Sequence, residues 1–149
     1  MARSKFNINT SPSAKKKRTL NGHEFSSDLE FKYYKYLLEL QEQGIVKEIK
    51  IQPKFEIQPK FEKNGKKYRA IYYIADFEVE YENGEKIVVD TKGMPTPEFK
   101  IKEKIFNYIF PDKILSVLNY SKIDGGWCEL SVIEKGRKER KKAKLVNNK

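Results

Sequence analysis

A chain of 149 residues is the length of a single domain around one hydrophobic core. Charged residues make up 35% and the AVILMFWYC set 38%, so the core is small and nine Phe, nine Tyr and one Trp must fill much of it. The formal charge of +10 points to a polyanionic partner, while a single cysteine, Cys128, and a single histidine, His23, exclude an internal disulfide and a zinc finger and leave oxygen as the ligand for any metal.

No stretch reaches the roughly 18 apolar residues of a membrane span, and the polar N-terminus lacks the apolar segment of a signal peptide, so a cytoplasmic protein with no membrane partner is expected. Residues 1–21 are rich in Ser, Asn, Lys and Pro without apolar periodicity. They read as a disordered basic arm whose Lys15-Lys16-Lys17-Arg18 cluster could track phosphates. Residues 135–149 read as a second basic tail, leaving 22–134 as the folded domain.

The first regular element is a helix over about 26–43, with Leu29, Tyr33, Tyr36, Leu37 and Leu40 at helical spacing and Gly44 as its stop. Ser27-Asp28-Leu29-Glu30 fits a capping box, which gives Glu30 a purely structural use. Residues 45–51 predict a strand. The six residues Ile51-Gln52-Pro53-Lys54-Phe55-Glu56 then recur letter for letter as Ile57-Gln58-Pro59-Lys60-Phe61-Glu62. Two copies do not make a solenoid, and each proline removes a ladder donor, which suits an edge or a bulge.

Residues 68–81 and 86–91 are β-rich and flank Glu82-Asn83-Gly84-Glu85, a hairpin signal. A two-residue Asn83-Gly84 loop would put Phe77 opposite Asp90 and mix apolar with charged partners. A three-residue loop closed by Gly84 at positive φ pairs Phe77 with Val89, Val79 with Ile87 and Glu80 with Lys86, and sets Asp76 opposite Asp90. The second register is predicted. Thr96-Pro97 opens a second helix with Ile101, Ile105, Tyr108 and Ile109 on one face, and Pro111 ends it. Residues 114–118 predict a strand, and 127–133 a strand or a short helix. The order αβββαβ indicates an α/β domain with a mixed sheet.

Asp76 interrupts the apolar-aromatic run Tyr72-Tyr73-Ile74-Ala75-Asp76-Phe77, and Asp90 ends Ile87-Val88-Val89-Asp90. Carboxylates beside core residues need a cation, and two from adjacent strands suit a divalent metal. Lys92 projects from the same strand face as Asp90. Mg²⁺ on the two carboxylates would polarise a phosphate oxygen and Lys92 would stabilise the developing charge, which is the logic of phosphodiester hydrolysis. Each residue alone is commonplace at a strand end, so the weight rests on the set.

That set, Asp76 followed fourteen positions later by Asp90-Thr91-Lys92, resembles the PD-(D/E)xK nuclease motif, with Ala75 where the motif has Pro. The segments Gly22-His23-Glu24-Phe25-Ser26-Ser27-Asp28-Leu29-Glu30, Gln52-Pro53-Lys54-Phe55, Tyr73-Ile74-Ala75-Asp76-Phe77, Val89-Asp90-Thr91-Lys92-Gly93 and residues 96–106 are similar to a family of small phage proteins related to Holliday-junction resolvases. The resemblance spans about residues 20–112. It implies a restriction-endonuclease-like fold, with Glu30, Asp76, Asp90 and Lys92 as the catalytic set and the first three as metal ligands. It also implies DNA contacts from the basic second helix through Lys100, Lys102 and Lys104. Helical pitch puts Lys100 and Lys104 on one side and Lys102 on the other, and Lys102 is expected nearer the site. The duplication leaves open whether Gln52 or Gln58 takes the family's glutamine position.

The expectation is therefore a Mg²⁺-dependent endonuclease, with Mn²⁺ able to substitute, that cuts branched or four-way-junction DNA as a homodimer in a bacterial host cell. The rivals are a nuclease of the same fold with another DNA substrate and a non-catalytic basic nucleic-acid-binding module whose carboxylates merely pair with neighbouring lysines and arginines.

Overall fold

The computed structural model of the chain describes residue 8 and residues 10–148. Its centre is a five-stranded mixed sheet in the order β11-β10-β9-β8-β3, built from β3 (Val46–Ile51), β8 (Phe77–Tyr81), β9 (Lys86–Thr91), β10 (Ile114–Ser121) and β11 (Gly126–Glu129). Only β9 and β10 run parallel, joined by the crossover helix α3 (Pro97–Ile109) that a parallel connection requires. With α2 (Asp28–Glu42) before β3, the sequence α2-β3-β8-β9-α3-β10 is the expected αβββαβ order.

Helix α2 begins where Ser27 accepts the Glu30 N–H, and ends at Gly44, whose φ of 76° closes it in the left-handed region. Its buried residues are Glu30, Tyr33, Tyr34 and Leu37, a stripe at i, i+3, i+4 and i+7. The stripe is rotated from the expected one, leaving Tyr36 exposed. Tyr33, Tyr34 and Leu37 pack with Phe25, Val46, Phe77, Val79 and Val89 on one face of the sheet. On the other face Phe99 and Phe106 of α3 pack on Val88, Tyr73, Ala75 and Ile57. Alternation along β9 thus sends Val89 to one core and Val88 and Asp90 to the other.

The β8–β9 hairpin takes the three-residue register. Phe77 pairs with Val89, Val79 with Ile87 and Glu80 with Lys86. Gly84 N–H donates to Tyr81 O at 2.9 Å with φ of 89° at Gly84, and Tyr81 N–H donates to Glu85 O at 2.8 Å.

The expected single strand over 68–81 is broken. β7 (Ile71–Ile74) leaves the central sheet at Ala75-Asp76 and pairs with β4 (Lys54–Gln58), while β5 (Phe61–Lys63) and β6 (Lys66–Tyr68) extend the excursion to a turn at Asn64-Gly65. Both Gln-Pro pairs interrupt strands, since Pro53 and Pro59 supply no N–H to a ladder.

The terminal segments differ from expectation. Ser11-Pro12 caps a short helix, α1 (Pro12–Lys17), and β1 (Thr19–Leu20) pairs with β2 (His23–Glu24). Arg18 is 2% exposed, its Nε donating to Phe25 O at 3.0 Å and its Nη1 lying 3.6 Å from Asp28. A guanidinium sealed in this way holds the N-terminal segment to the domain and cannot meet a phosphate, which corrects its place in the basic cluster; Lys15, Lys16 and Lys17 remain exposed. Residues 1–7 and 9 of the proposed arm lie outside the described residues. Residues 126–133 supply both β11 and the start of α4 (Leu130–Asn147), so the expected tail from 135 is mostly helix, anchored through Leu130 and Ile133.

Gly84→Ala should cost about 1–2 kcal/mol, because the left-handed conformation is strained for any residue with a Cβ. Urea unfolding would read it as a lower midpoint with an unchanged m-value.

Candidate active site

The break at Ala75-Asp76 decides where Asp76 points. Beyond Phe77 the backbone turns away from β9, yet β9 still presents the Thr91 N–H on that side, because the Lys92 N–H faces the other way and donates to Leu118 O of β10 at 2.8 Å. The Asp76 carboxylate fills the missing acceptor position. Its Oδ2 accepts from Thr91 N and from Thr91 Oγ1, both at 2.8 Å. The chain opposite bends in step: Gln52, at φ of 50°, donates its N–H to Asp76 O at 2.9 Å, and Ala75 N–H donates to Pro53 O at 3.1 Å. This backbone bond puts the first copy of the repeat, through Gln52, beside Asp76, while Gln58 lies further along β4 opposite Ile71.

Asp90 is 1% exposed on the α3 side of β9. Its Oδ2 accepts a short hydrogen bond from the Tyr73 hydroxyl, and its Oδ1 lies 3.0 Å from Lys92 Nζ without accepting a well-aligned hydrogen bond. Lys92 Nζ also stands 4.8 Å from the centre of the Phe99 ring, a cation–π position.

Glu30 enters from α2. Its backbone N–H uses Ser27, but its carboxylate does not complete the capping box. Oε2 accepts from Ser26 Oγ at 2.7 Å, and Oε1 is buried with no hydrogen-bond partner.

The structure therefore brings Glu30, Asp76, Asp90 and Lys92 together, and their charges act on one another. Burial pushes Asp76 up to about 8, with Asp90 and Glu30 adding to the rise. Burial also raises Glu30, opposed by the Ser26 hydrogen bond and reinforced by Asp90. Tyr73 is held protonated by burial and by the Asp90 charge, so its hydroxyl stays a donor.

Beside this cluster is a cleft of about 200 Å³ lined by Tyr73, Asp90, Lys92, Thr96, Phe99 and Lys102. Lys102 is thus on the site side, in an ion pair with Glu98 at 3.2 Å. Lys100 borders a separate cavity of about 400 Å³ with Glu103 and Glu129, and Lys104 is solvent-exposed. A Cβ on Gly93 would meet nothing within 4 Å, so no neighbour demands a glycine there. Sequence reasoning missed three hydroxyls, those of Ser26, Tyr73 and Thr91, each of which fixes one carboxylate. The signal for Glu30 was present, because it lies in phase with Tyr33, Tyr34 and Leu37 on the buried stripe.

Among the described residues no group of three or more Asp, Glu, His or Cys side chains is arranged as a metal-binding set. Each of the three carboxylates accepts from a hydroxyl through one oxygen. The donor chemistry nonetheless fits a hard divalent cation. Every candidate ligand is an oxygen, two of those oxygens are buried without a hydrogen-bond partner, and Mg²⁺ is commonly held by one or two carboxylates together with substrate phosphate and water.

The fold and site define a mixed α/β domain with a buried carboxylate cluster at the end of its central hairpin. The chain belongs to the family described as "Protein of unknown function (DUF1064)", whose match covers residues 10–125 and so every residue of the cluster. No curated protein and no solved structure matches it.

The raised Asp76 gives a pH test in metal-free protein. Its ordinary value is 3.8 and its folded value about 8. Between these, the folded chain keeps a proton that the unfolded chain releases, so this group's contribution is intact at low pH and is lost as pH rises through 8. Asp76→Asn should therefore raise Tm by roughly 5 °C at pH 9 with EDTA and by little at pH 4. A gain that did not grow with pH in thermal melts would contradict the burial of that charge.

Proposed function

We propose that this protein is a Mg²⁺-dependent DNA endonuclease of restriction-endonuclease-like fold that cuts Holliday junctions or other branched DNA, with Mn²⁺ able to replace Mg²⁺. The observation that carries this reading is the pair of buried oxygens without a hydrogen bond, Glu30 Oε1 and Asp90 Oδ1, of which only the second has a cation beside it. They stand in a cluster of three carboxylates in which, among the described residues, Lys92 is the one ammonium in an ion pair. Such a cluster is short of positive charge inside a protein that carries +10 overall.

Asp76 and Asp90, with Glu30 as a third ligand, would hold the cation, which when bound lowers the barrier to water attack by withdrawing charge from the phosphate. Asp76 would give up its proton on binding. Lys92, steadied by Asp90 and the Phe99 ring, would place its ammonium against the phosphate oxygen that gains charge as water adds to phosphorus and the bridging P–O bond breaks. Tyr73 and Thr91 would keep the two strand carboxylates turned toward the scissile group. Lys102 would bind a flanking phosphate, and the exposed Lys15, Lys16 and Lys17, with Lys100 and Lys104 beyond the cleft, offer further phosphate contacts. Paired cuts across a junction would use two copies of the site, hence a homodimer.

A non-catalytic basic module would leave each carboxylate neutralised by a lysine or arginine. Only Asp90 has such a partner; Glu30 and Asp76 are met by hydroxyls and by the Thr91 N–H instead.

Asp90→Asn should abolish Mg²⁺-dependent cleavage of a labelled four-way junction while leaving binding within a few-fold, since binding draws on basic side chains. Lys92→Ala should slow single-turnover cleavage by about 10² or more. Wild-type rates in both variants would remove the proposed centre.

A further inference from the structure

The second copy of the repeat has no part in the carboxylate cluster, and the structure shows what it builds. Ile57 and Gln58 finish β4, and Phe61 and Glu62 begin β5, so the copy forms one side of the hairpin that leaves the domain at Asp76. Toward its tip Phe61 pairs with Tyr68 across the two strands, and their rings stack face to face at 4.6 Å with 5° between planes. Both are exposed, at 43% and 38%. Lys63 and Lys66, the next cross-strand pair, share the face of the rings, while Lys67 pairs with Glu62 on the opposite face; Lys60 and Arg69 flank the rings along the chain, and all five cations are exposed. The tip turn is set by Asn64 and Gly65 at φ of 52° and 77°. Nearer the cleft, Tyr72 and Ile74 are also exposed, with Lys54 Nζ 4.1 Å from the centre of the Tyr72 ring.

Two large rings on a solvent-facing hairpin add nothing to either core, and the charge around them is one-sided. Aromatic faces interleaved with ammonium groups match unpaired nucleic acid, whose phosphates meet the cations and whose bases, having a free face, stack on the rings. Paired duplex hides those faces. At the rise of a strand, the eight residues from Asp76 to Tyr68 span at most about 26 Å, less than the roughly 34 Å of one duplex turn. The rings therefore reach DNA within one turn of a phosphate at the carboxylates.

We propose that this hairpin is a binding arm for unpaired DNA, in which Phe61 and Tyr68 stack on bases flanking the branch point while Lys63 and Lys66 on the same face, with Lys60 and Arg69 at the flanks, track the backbone. The arm rests on the nuclease reading for its position relative to a scissile phosphate, but its affinity for single strands does not require cleavage.

The test measures binding of the full-length chain to a labelled poly-dT strand, a forked duplex and a fully paired duplex by fluorescence anisotropy, in EDTA so that no strand is cut. The double variant Phe61→Ala/Tyr68→Ala should weaken binding to the strand and the fork by about tenfold or more and change duplex binding less than about twofold. Phe61→Leu/Tyr68→Leu, which keeps apolar bulk but removes the π-faces, should lose the same affinity with an unchanged circular dichroism spectrum. A 2-aminopurine in the strand should be quenched by the wild type and not by the leucine variant. Equal losses on all three DNAs, full affinity in the leucine variant, or no binding by the wild type would each overturn the arm. Arm-dependent binding by a wild type that never cuts with Mg²⁺ would overturn the nuclease reading and leave the arm standing; cleavage without arm-dependent binding would do the reverse.

Discussion

The hydrogen bonds from Thr91 to Asp76 organise the molecule. A strand that continued past Phe77 in the central sheet would satisfy the Thr91 N–H with its own carbonyl, and Asp76 would then project from the pleat like any other residue. Because the chain turns away at Ala75, a side-chain carboxylate substitutes for main chain at the end of the ladder. Three things follow together. β7 is free to pair with β4 and carry the hairpin outward, Ala75 and Tyr73 drop onto α3 as core, and Asp76 is delivered next to Asp90. Gln52, at positive φ on the opposite strand, absorbs the matching bend.

The price in stability is concentrated at one point. Glu30 and Asp90 are both almost fully buried, and a helix stripe that could have carried a fourth apolar residue beside Tyr33, Tyr34 and Leu37 carries Glu30. Burying a carboxylate is unfavourable unless hydrogen bonds or a cation offset it. Three hydroxyls offset part of the cost and Lys92 another part, leaving negative charge in excess. A sequence under no constraint but folding would relieve this with leucine or valine at a position in phase with Tyr33, Tyr34 and Leu37 on the buried stripe.

Much of this was legible in the sequence where two physical requirements agreed. The β8–β9 register followed from apolar partners and charge pairs choosing the same three-residue turn, and the ends of α2 and α3 from Ser27, Gly44, Thr96 and Pro97. The break at Ala75-Asp76 was not legible, because neither residue is a breaker; the proline that accompanies it, Pro53, lies on the strand opposite. The hydroxyls of Ser26, Tyr73 and Thr91 were invisible for a different reason, since strand and helix periodicity give the face of a residue and not the atom it touches. The ends were misread through composition. Ser11-Pro12 carries the same start signal as Thr96-Pro97, and α4 is rich in good helix formers, but with so few apolar residues both looked like unfolded chain.

The two borders of the central sheet have a consequence for self-association. β3 is an edge whose sequence, Val46-Lys47-Glu48-Ile49-Lys50-Ile51, sets charges among its apolar residues and whose pairing with β8 is interrupted by an irregularity between Val46 and Glu48. β11, the other edge, is only four residues long and runs straight into α4. Charged, irregular or truncated edges are poor templates for another strand. Two copies of this chain meeting in solution would therefore not join their sheets into one continuous ladder, and the same borders shield concentrated protein against edge-to-edge fibre growth.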